Sequence, residues 1–283
     1  PNAGAVSVGL GGQPLFQTPS VNVNLPQPIT AAPSITSHTL GGYMVIFGTG
    51  KLYDETDPND TTLQSLYAVW DAPANNANLS KTDLVEQKII KPAVATNSNN
   101  QSYFDMDFQT VDYKDKAARK YGWFVNLTLE PGQRQIYPST LIHFKQAGAF
   151  VLIPTAVPPH AQDTPTCDAI KGTAYTFLLN ALMDGSYTKT QILDTDGDGQ
   201  ITDADNISSV YSSPLDGQAE VTQKETSKTD DNGGDTPTKA CSSEPEMIKV
   251  NQVSVTQTGG LRQTGICKIR SRIWRQILNP PQP

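Results

Sequence analysis

Apolar residues in this chain come in short continuous runs rather than at helical spacing. Tyr43-Met44-Val45-Ile46-Phe47 is one such run, closed by Gly48-Thr49-Gly50. Leu66-Tyr67-Ala68-Val69-Trp70 is a second, ending at Asp71. Tyr121-Gly122-Trp123-Phe124-Val125-Asn126-Leu127, Ala149-Phe150-Val151-Leu152-Ile153 and Tyr175-Thr176-Phe177-Leu178-Leu179-Asn180 follow. Runs of this length, rich in β-branched and aromatic residues and bounded by Gly, Pro and Asn, predict buried strands. A charged, Asn-rich excursion separates the second run from the third.

The pattern recurs in outline. Pro33-Ser34-Ile35 is echoed by Pro138-Ser139-Thr140, the run at 43–47 by that at 149–153, and the run at 66–70 by that at 175–179, each offset by roughly a hundred residues. Repeated β units with long excursions predict propeller blades, whose radial packing protects strand edges. The partition expected is a loop and edge-strand region over 1–32, blades over 33–217, a flexible polar insertion over 218–246 and closing strands over 247–283. The insertion is rich in Thr, Ser, Asp, Gly and Lys, and such a segment buries too little apolar surface to offset its ordering entropy. In the closing piece, Ile269 and Ile273 alternate with Lys268, Arg270, Arg272 and Arg275, the pattern of a half-buried strand with its bases in water.

Composition narrows the class. Of 283 residues, 37% are hydrophobic and 17% charged, with 21 Gly and 21 Pro, a turn-rich and charge-poor balance suited to an extracellular β protein. The net charge of -7 argues against nucleic acid as the main partner. No stretch is long and apolar enough to span a membrane, and none has the form of a signal peptide, so a mature fragment or a piece of a longer precursor is expected. Cys167, Cys241 and Cys267 allow a Cys241–Cys267 pair with Cys167 free, and spacing leaves the pairing open.

One segment states a chemistry. Asp194-Thr195-Asp196-Gly197-Asp198-Gly199-Gln200-Ile201-Thr202-Asp203-Ala204-Asp205 puts acidic side chains at positions 1, 3, 5 and 12 of a loop with glycine at position 6. Hard Ca²⁺ takes oxygen ligands, and Gly199 permits the sharp turn that wraps them round one ion. Asp194, Asp196 and Asp198 are the expected carboxylate ligands, Gln200 gives its carbonyl, Thr202 its hydroxyl or a bridging water, and Asp205 a final carboxylate. Ile201 is the expected apolar anchor. Asp205 stands where an EF-hand has a longer Glu, and strand-like sequence flanks the loop, so a calcium clip between strands is expected rather than an EF-hand. The second acidic run, Asp54-Glu55-Thr56-Asp57-Pro58-Asn59-Asp60, lacks the central glycine and the spacing, and reads as a solvated loop. His38, His143 and His160 are too dispersed for a metal triad, and Gly48-Thr49-Gly50 reads as a strand end where backbone packs closely.

Four stretches together resemble the C-terminal domain of the PilC/PilY1 family of type IV pilus proteins. They are Gln27-Pro28-Ile29-Thr30-Ala31-Ala32-Pro33, Gly42-Tyr43-Met44-Val45-Ile46-Phe47-Gly48-Thr49-Gly50-Lys51, Gln64-Ser65-Leu66-Tyr67-Ala68-Val69-Trp70-Asp71 and the acidic loop; the ending Ile273-Trp274-Arg275-Gln276-Ile277 is similar too. The resemblance implies a modified, quinoprotein-like β-propeller with a surface calcium site formed by Asp194, Asp196, Asp198 and the Gln200 carbonyl, Thr202 standing where the family commonly has Asp. It also implies a place at the pilus tip or cell surface after export through periplasm and outer membrane, and roles in pilus extension, twitching motility and adhesion. The partners implied are pilin or minor pilin-like subunits and a host-cell or surface receptor, with a second chain or further blades completing the propeller. Two other classes compete. A calcium-dependent quinoprotein-like dehydrogenase would need a cofactor pocket and a base, whereas this loop supplies most of a calcium shell itself. A purely structural extracellular propeller module would need neither. The expectation is a protein that is not an enzyme.

Overall fold

The computed structural model describes residues 9–22, 25–73, 78–98, 100–115, 117–144, 148–159, 172–186, 189, 191–198, 202–213, 218–223, 245–253 and 262–269. Among these the strands in chain order are β1 (Ser20–Asn22), β2 (Leu25–Pro26), β3 (Ser34–Ser37), β4 (Tyr43–Gly48), β5 (Ser65–Asp71), β6 (Val85–Ile89), β7 (Ala95–Thr96), β8 (Ser102–Phe104), β9 (Met106–Asp107), β10 (Gly122–Asn126), β11 (Thr140–Phe144), β12 (Gly148–Val157), β13 (Thr173–Asn180), β14 (Val210–Ser213), β15 (Gln218–Gln223), β16 (Pro245–Val253) and β17 (Arg262–Ile269).

Each repeat is a four-stranded antiparallel unit. The first, β3-β4-β5-β10, is widened by β6 and β9; the second, β11-β12-β13-β14, is widened by β8 and β7. The excursion between β5 and β10 thus contributes strands to both sheets. β6 pairs parallel with β10 on the first sheet, while β8 pairs antiparallel with β14 on the second. The echoed Pro-Ser segments meet in space: the Ser34 and Ser139 hydroxyls are 2.8 Å apart.

The continuous apolar runs are explained by burial on both faces. Along β5, Leu66, Ala68 and Trp70 enter the core between the two sheets, whereas Tyr67 and Val69 pack on the outer face with Phe47, Leu79, Leu84 and Phe124. The second sheet repeats this. Val151, Ile153, Phe177 and Leu179 face the shared core; Phe150, Leu152, Leu178 and Tyr211 face outward. Period-2 alternation with an apolar cover on each side leaves no polar positions along the strand. Burial of side chains such as Trp123 and Phe177 contributes about 1.5–3 kcal/mol each. Trp123 also donates its indole N–H to the Ala181 carbonyl at 3.0 Å, tying the first sheet to the end of β13.

The stretches at 27–33, 42–51 and 64–71 lock together. Gln27 donates to the Leu63 carbonyl at 2.7 Å and accepts from the Tyr67 hydroxyl at 2.5 Å. Gly50 N–H reaches the Pro28 carbonyl at 2.8 Å, and Thr49 N–H reaches the Ser65 carbonyl at 2.9 Å. A side chain at Gly50 (φ +140°) would place its Cβ 2.4 Å from Arg134 Cβ, so the close backbone packing expected there is present.

β15, β16 and β17 form a separate antiparallel sheet. β15 lies inside the stretch expected to be a flexible polar insertion. The rest of that stretch (224–244), the closing segment 270–283, residues 160–171 with His160 and Cys167, Cys241, and the side chains of His143 and Cys267 lie outside the described residues. Among the described residues no helix is long and apolar enough to cross a membrane.

Candidate metal centre

The acidic loop is suspended between β13 and β14 on the outer face of the second sheet. Leu193, fully buried among Tyr103, Ile142, Phe150, Leu152, Leu178 and Tyr211, fixes its entry. At the exit, Ser209 donates to the Phe104 carbonyl at 3.0 Å, and its own carbonyl accepts from Leu178 N–H at 2.8 Å. Between these anchors the chain turns on its own side chains. The Asp194 carboxylate accepts Gly197 N–H at 2.7 Å, and that of Asp196 accepts Asp198 N–H at 3.0 Å. Gly197 adopts φ +82°, a conformation glycine takes without strain.

These turns bring Asp194, Asp196 and Asp198 together, with one carboxylate oxygen from each lying within 4.8 Å of the others. Asp194 is buried, while Asp196 and Asp198 are exposed. Oxygens bound to one Ca²⁺ at about 2.3–2.6 Å lie no more than about 5.2 Å apart, so the observed spacing suits a single hard cation. Like charges gathered this closely repel until a cation neutralises them. The donor set is all oxygen, which favours Ca²⁺ over softer metals.

Asp205 stands outside this trio. Its side chain is buried; one oxygen accepts Thr195 N–H at 2.6 Å and the Thr195 hydroxyl at 3.2 Å, and the other accepts Thr202 N–H at 2.8 Å. It therefore staples the two limbs of the loop. The Thr202 hydroxyl accepts Ala204 N–H at 3.1 Å. Gly199, Gln200 and Ile201, the expected turn, carbonyl ligand and apolar anchor, lie outside the described residues. The anchoring observed is by Leu193, legible only as the end of the apolar pair Ile192-Leu193.

Beneath the loop lies Tyr103, which sequence reasoning did not single out. Its hydroxyl donates to Gln101 Oε1 at 3.0 Å and accepts from Asn97 Nδ2 at 3.2 Å. Burial pushes its acidity down, raising the phenol pKa, and the negative charges of Asp194 and Asp205 add to the rise.

The other acidic run is built differently and corrects the picture of a merely solvated loop. Asp57 is buried, paired with Lys51 at 2.6 Å, and accepts the N–H groups of Tyr53 and Asp54 at 2.8 and 3.0 Å. The buried Arg134 guanidinium donates to the carbonyls of Gly132, Lys51, Asp57 and Asp60. His38 is packed between Trp70 and Tyr113, with ring centroids 4.2 and 4.5 Å away, and serves the core. Among the described residues Asp194, Asp196 and Asp198 are the one group of three or more His, Cys, Asp or Glu that converges.

Comparison with known proteins agrees with the fold and with the stretches at 27–33, 42–51 and 64–71. Residues 2–105 match the family model of the PilY1 beta-propeller domain. The crystal structure of the Pseudomonas aeruginosa PilY1 C-terminal domain superposes over 92% of this chain and 48% of that one, with a TM-score of 0.63 at 20% identity. The chain is similar to the PilY1 C-terminal domain. Its fold is the modified β-propeller of PilY1, as the two blade-like sheets indicate. Two curated relatives are named type IV pilus biogenesis factor PilY1. That of P. aeruginosa UCBPP-PA14 is 28% identical over 199 residues, 64% of this chain and 16% of its own length. That of P. aeruginosa PAK is 31% identical over 189 residues, 61% of this chain and 15% of its own length. The chain thus spans about a sixth of the PilY1 proteins it matches and about half of the solved PilY1 domain.

Proposed function

We propose that this chain is a calcium-binding, non-enzymatic part of a type IV pilus biogenesis factor, acting through protein–protein contacts at the cell surface or pilus tip. The observation that carries the reading is the convergence of Asp194, Asp196 and Asp198 on a loop of a PilY1-type propeller. Calcium held by these carboxylates, with the Gln200 carbonyl and Thr202 completing the shell and Asp205 closing the loop from behind, fixes one exposed protein-binding face. Without the ion the carboxylates repel and the loop loosens. The partners are pilin or minor pilin-like subunits, and the face supports pilus extension, twitching motility and adhesion to a host-cell or other surface. Further blades, in the same polypeptide or a second chain, complete the propeller.

Asp198→Ala in the native gene tests this. Surface pili and twitching should fall while the protein is made and exported at its usual level, and the purified variant should lose high-affinity calcium binding altogether. Normal piliation and twitching in a variant that no longer binds calcium would overturn the proposal.

A further inference from the structure

The acidic loop belongs to the second blade, but its floor comes from the first. Three stations join the loop to the segment 97–104. Leu193, at the loop's entry, packs in the cluster that contains Tyr103. At its apex, a Cβ on Gly197 would lie 3.8 Å from both Cβ and Nδ2 of Asn97, so the Asn97 side chain faces the Gly197 backbone at contact distance. At its exit, Ser209 N–H is held by the Phe104 carbonyl.

The segment is itself braced. Asn97 N–H donates to the Gln101 carbonyl at 3.0 Å, Gln101 N–H returns to Asn97 Oδ1 at 3.1 Å, and Asn97 Nδ2, Gln101 Oε1 and the Tyr103 hydroxyl close a ring of hydrogen bonds at 3.0–3.3 Å. Gln101 and Tyr103 are buried, so the bond between them replaces water that cannot enter. The phenol's suppressed acidity, owed in part to Asp194 and Asp205, agrees with a hydroxyl set close beneath the carboxylates.

We infer that Asn97 and Tyr103 are positioning residues for the acidic loop: the hairpin β7–β8, delivered by the first blade, sets the geometry in which Asp194, Asp196 and Asp198 converge. The inference rests on the calcium reading above. Coupling of this kind is reciprocal, so an ion that closes the loop must also order the hairpin. β8 pairs with β14 in the second sheet and runs on into β9 of the first, which gives the ion's effect a path into both.

Calorimetric titration of calcium into metal-free wild type, Asn97→Ala and Tyr103→Phe, with hydrogen exchange of residues 95–104, tests it. Both variants should bind calcium about tenfold more weakly, in the range of outer-shell ligand supports, with metal-free melting temperatures within a few degrees of wild type. In the wild type, calcium should slow exchange across 95–104, and in Asp198→Ala it should not. Affinities within twofold of wild type, together with exchange at 95–104 indifferent to saturating calcium, would overturn the inference and leave the calcium site standing. A wild type that binds no calcium would overturn the site and this inference with it. The exchange measurement needs no substitution in the hairpin, so a variant that fails to fold does not protect the idea.

Discussion

Loops 51–60 and 194–205 are both acidic, and they solve the same electrostatic problem in opposite ways. In the first, the chain supplies its own cations. Lys51 pairs with the buried Asp57, and the Arg134 guanidinium gathers backbone carbonyls from both ends of the loop. In the second, carboxylates are gathered on one another within 4.8 Å, and backbone N–H groups from the same loop hold them there. A loop neutralised internally is a finished structural part. One that concentrates negative oxygens could hold a cation, which is the proposal made above. Acidic composition alone does not separate the two; glycine position and carboxylate spacing do.

The largest effect should come from removing the internal cation. Arg134→Met takes a buried guanidinium donor from the carbonyls of Gly132, Lys51, Asp57 and Asp60, of which Asp57's keeps the Asp60 N–H, and should cost about 3 kcal/mol or more of stability. Urea unfolding with and without calcium should show that loss equally in both. A loss repaired by calcium would erase the distinction between the loops.

A smaller, pH-dependent effect belongs to Asp57. The Lys51 ammonium, with help from the N–H groups of Tyr53 and Asp54, lowers its carboxyl pKa from 3.8 to about 2. The folded state therefore binds this proton more weakly than the unfolded chain. Its stabilising contribution is present in full above 3.8 and is lost as pH falls through about 2. Asp57→Asn should be less stable than wild type at neutral pH, and the gap should close on acidification. A gap that is constant down to about pH 2 would show that the ion pair is not its source.

How much of this could be read in the sequence differs between the two loops for a physical reason. The acidic spacing is local, so the convergence of Asp194, Asp196 and Asp198 was legible from it. Arg134 acts across the chain on Lys51 and Asp57, and a lone arginine after Glu130-Pro131-Gly132-Gln133 carries no pattern that points there. The buried strands were legible because covered faces demand unbroken apolar runs. β7, β8 and β9 were not, since strands of two or three residues have no room to show alternation, and their Asn-rich surroundings resemble an ordinary loop. For the same reason the floor beneath the acidic loop was invisible: Asn97 and Tyr103 acquire their role from a sheet that joins residues far apart in the chain.

The smallest expected effect probes the loop's turn. Gly197 sits at φ +82° with nothing closer than 3.8 Å to a prospective Cβ, so Gly197→Ala meets backbone strain and no clash. It should cost about 1 kcal/mol locally and weaken calcium binding several-fold, while thermal melting of the metal-free protein hardly changes. Unaltered affinity would mean that the Asp194–Gly197 turn does not set the carboxylate geometry.

The central claim is that loop 194–205 takes a cation and loop 51–60 does not. Calorimetric calcium titration of metal-free wild type, Asp57→Asn and Asp198→Ala tests it most directly, through stoichiometry. The account predicts one ion per chain in the wild type and in Asp57→Asn, and none in Asp198→Ala. An ion retained by Asp198→Ala, one lost with Asp57→Asn, or no binding by the wild type would contradict it.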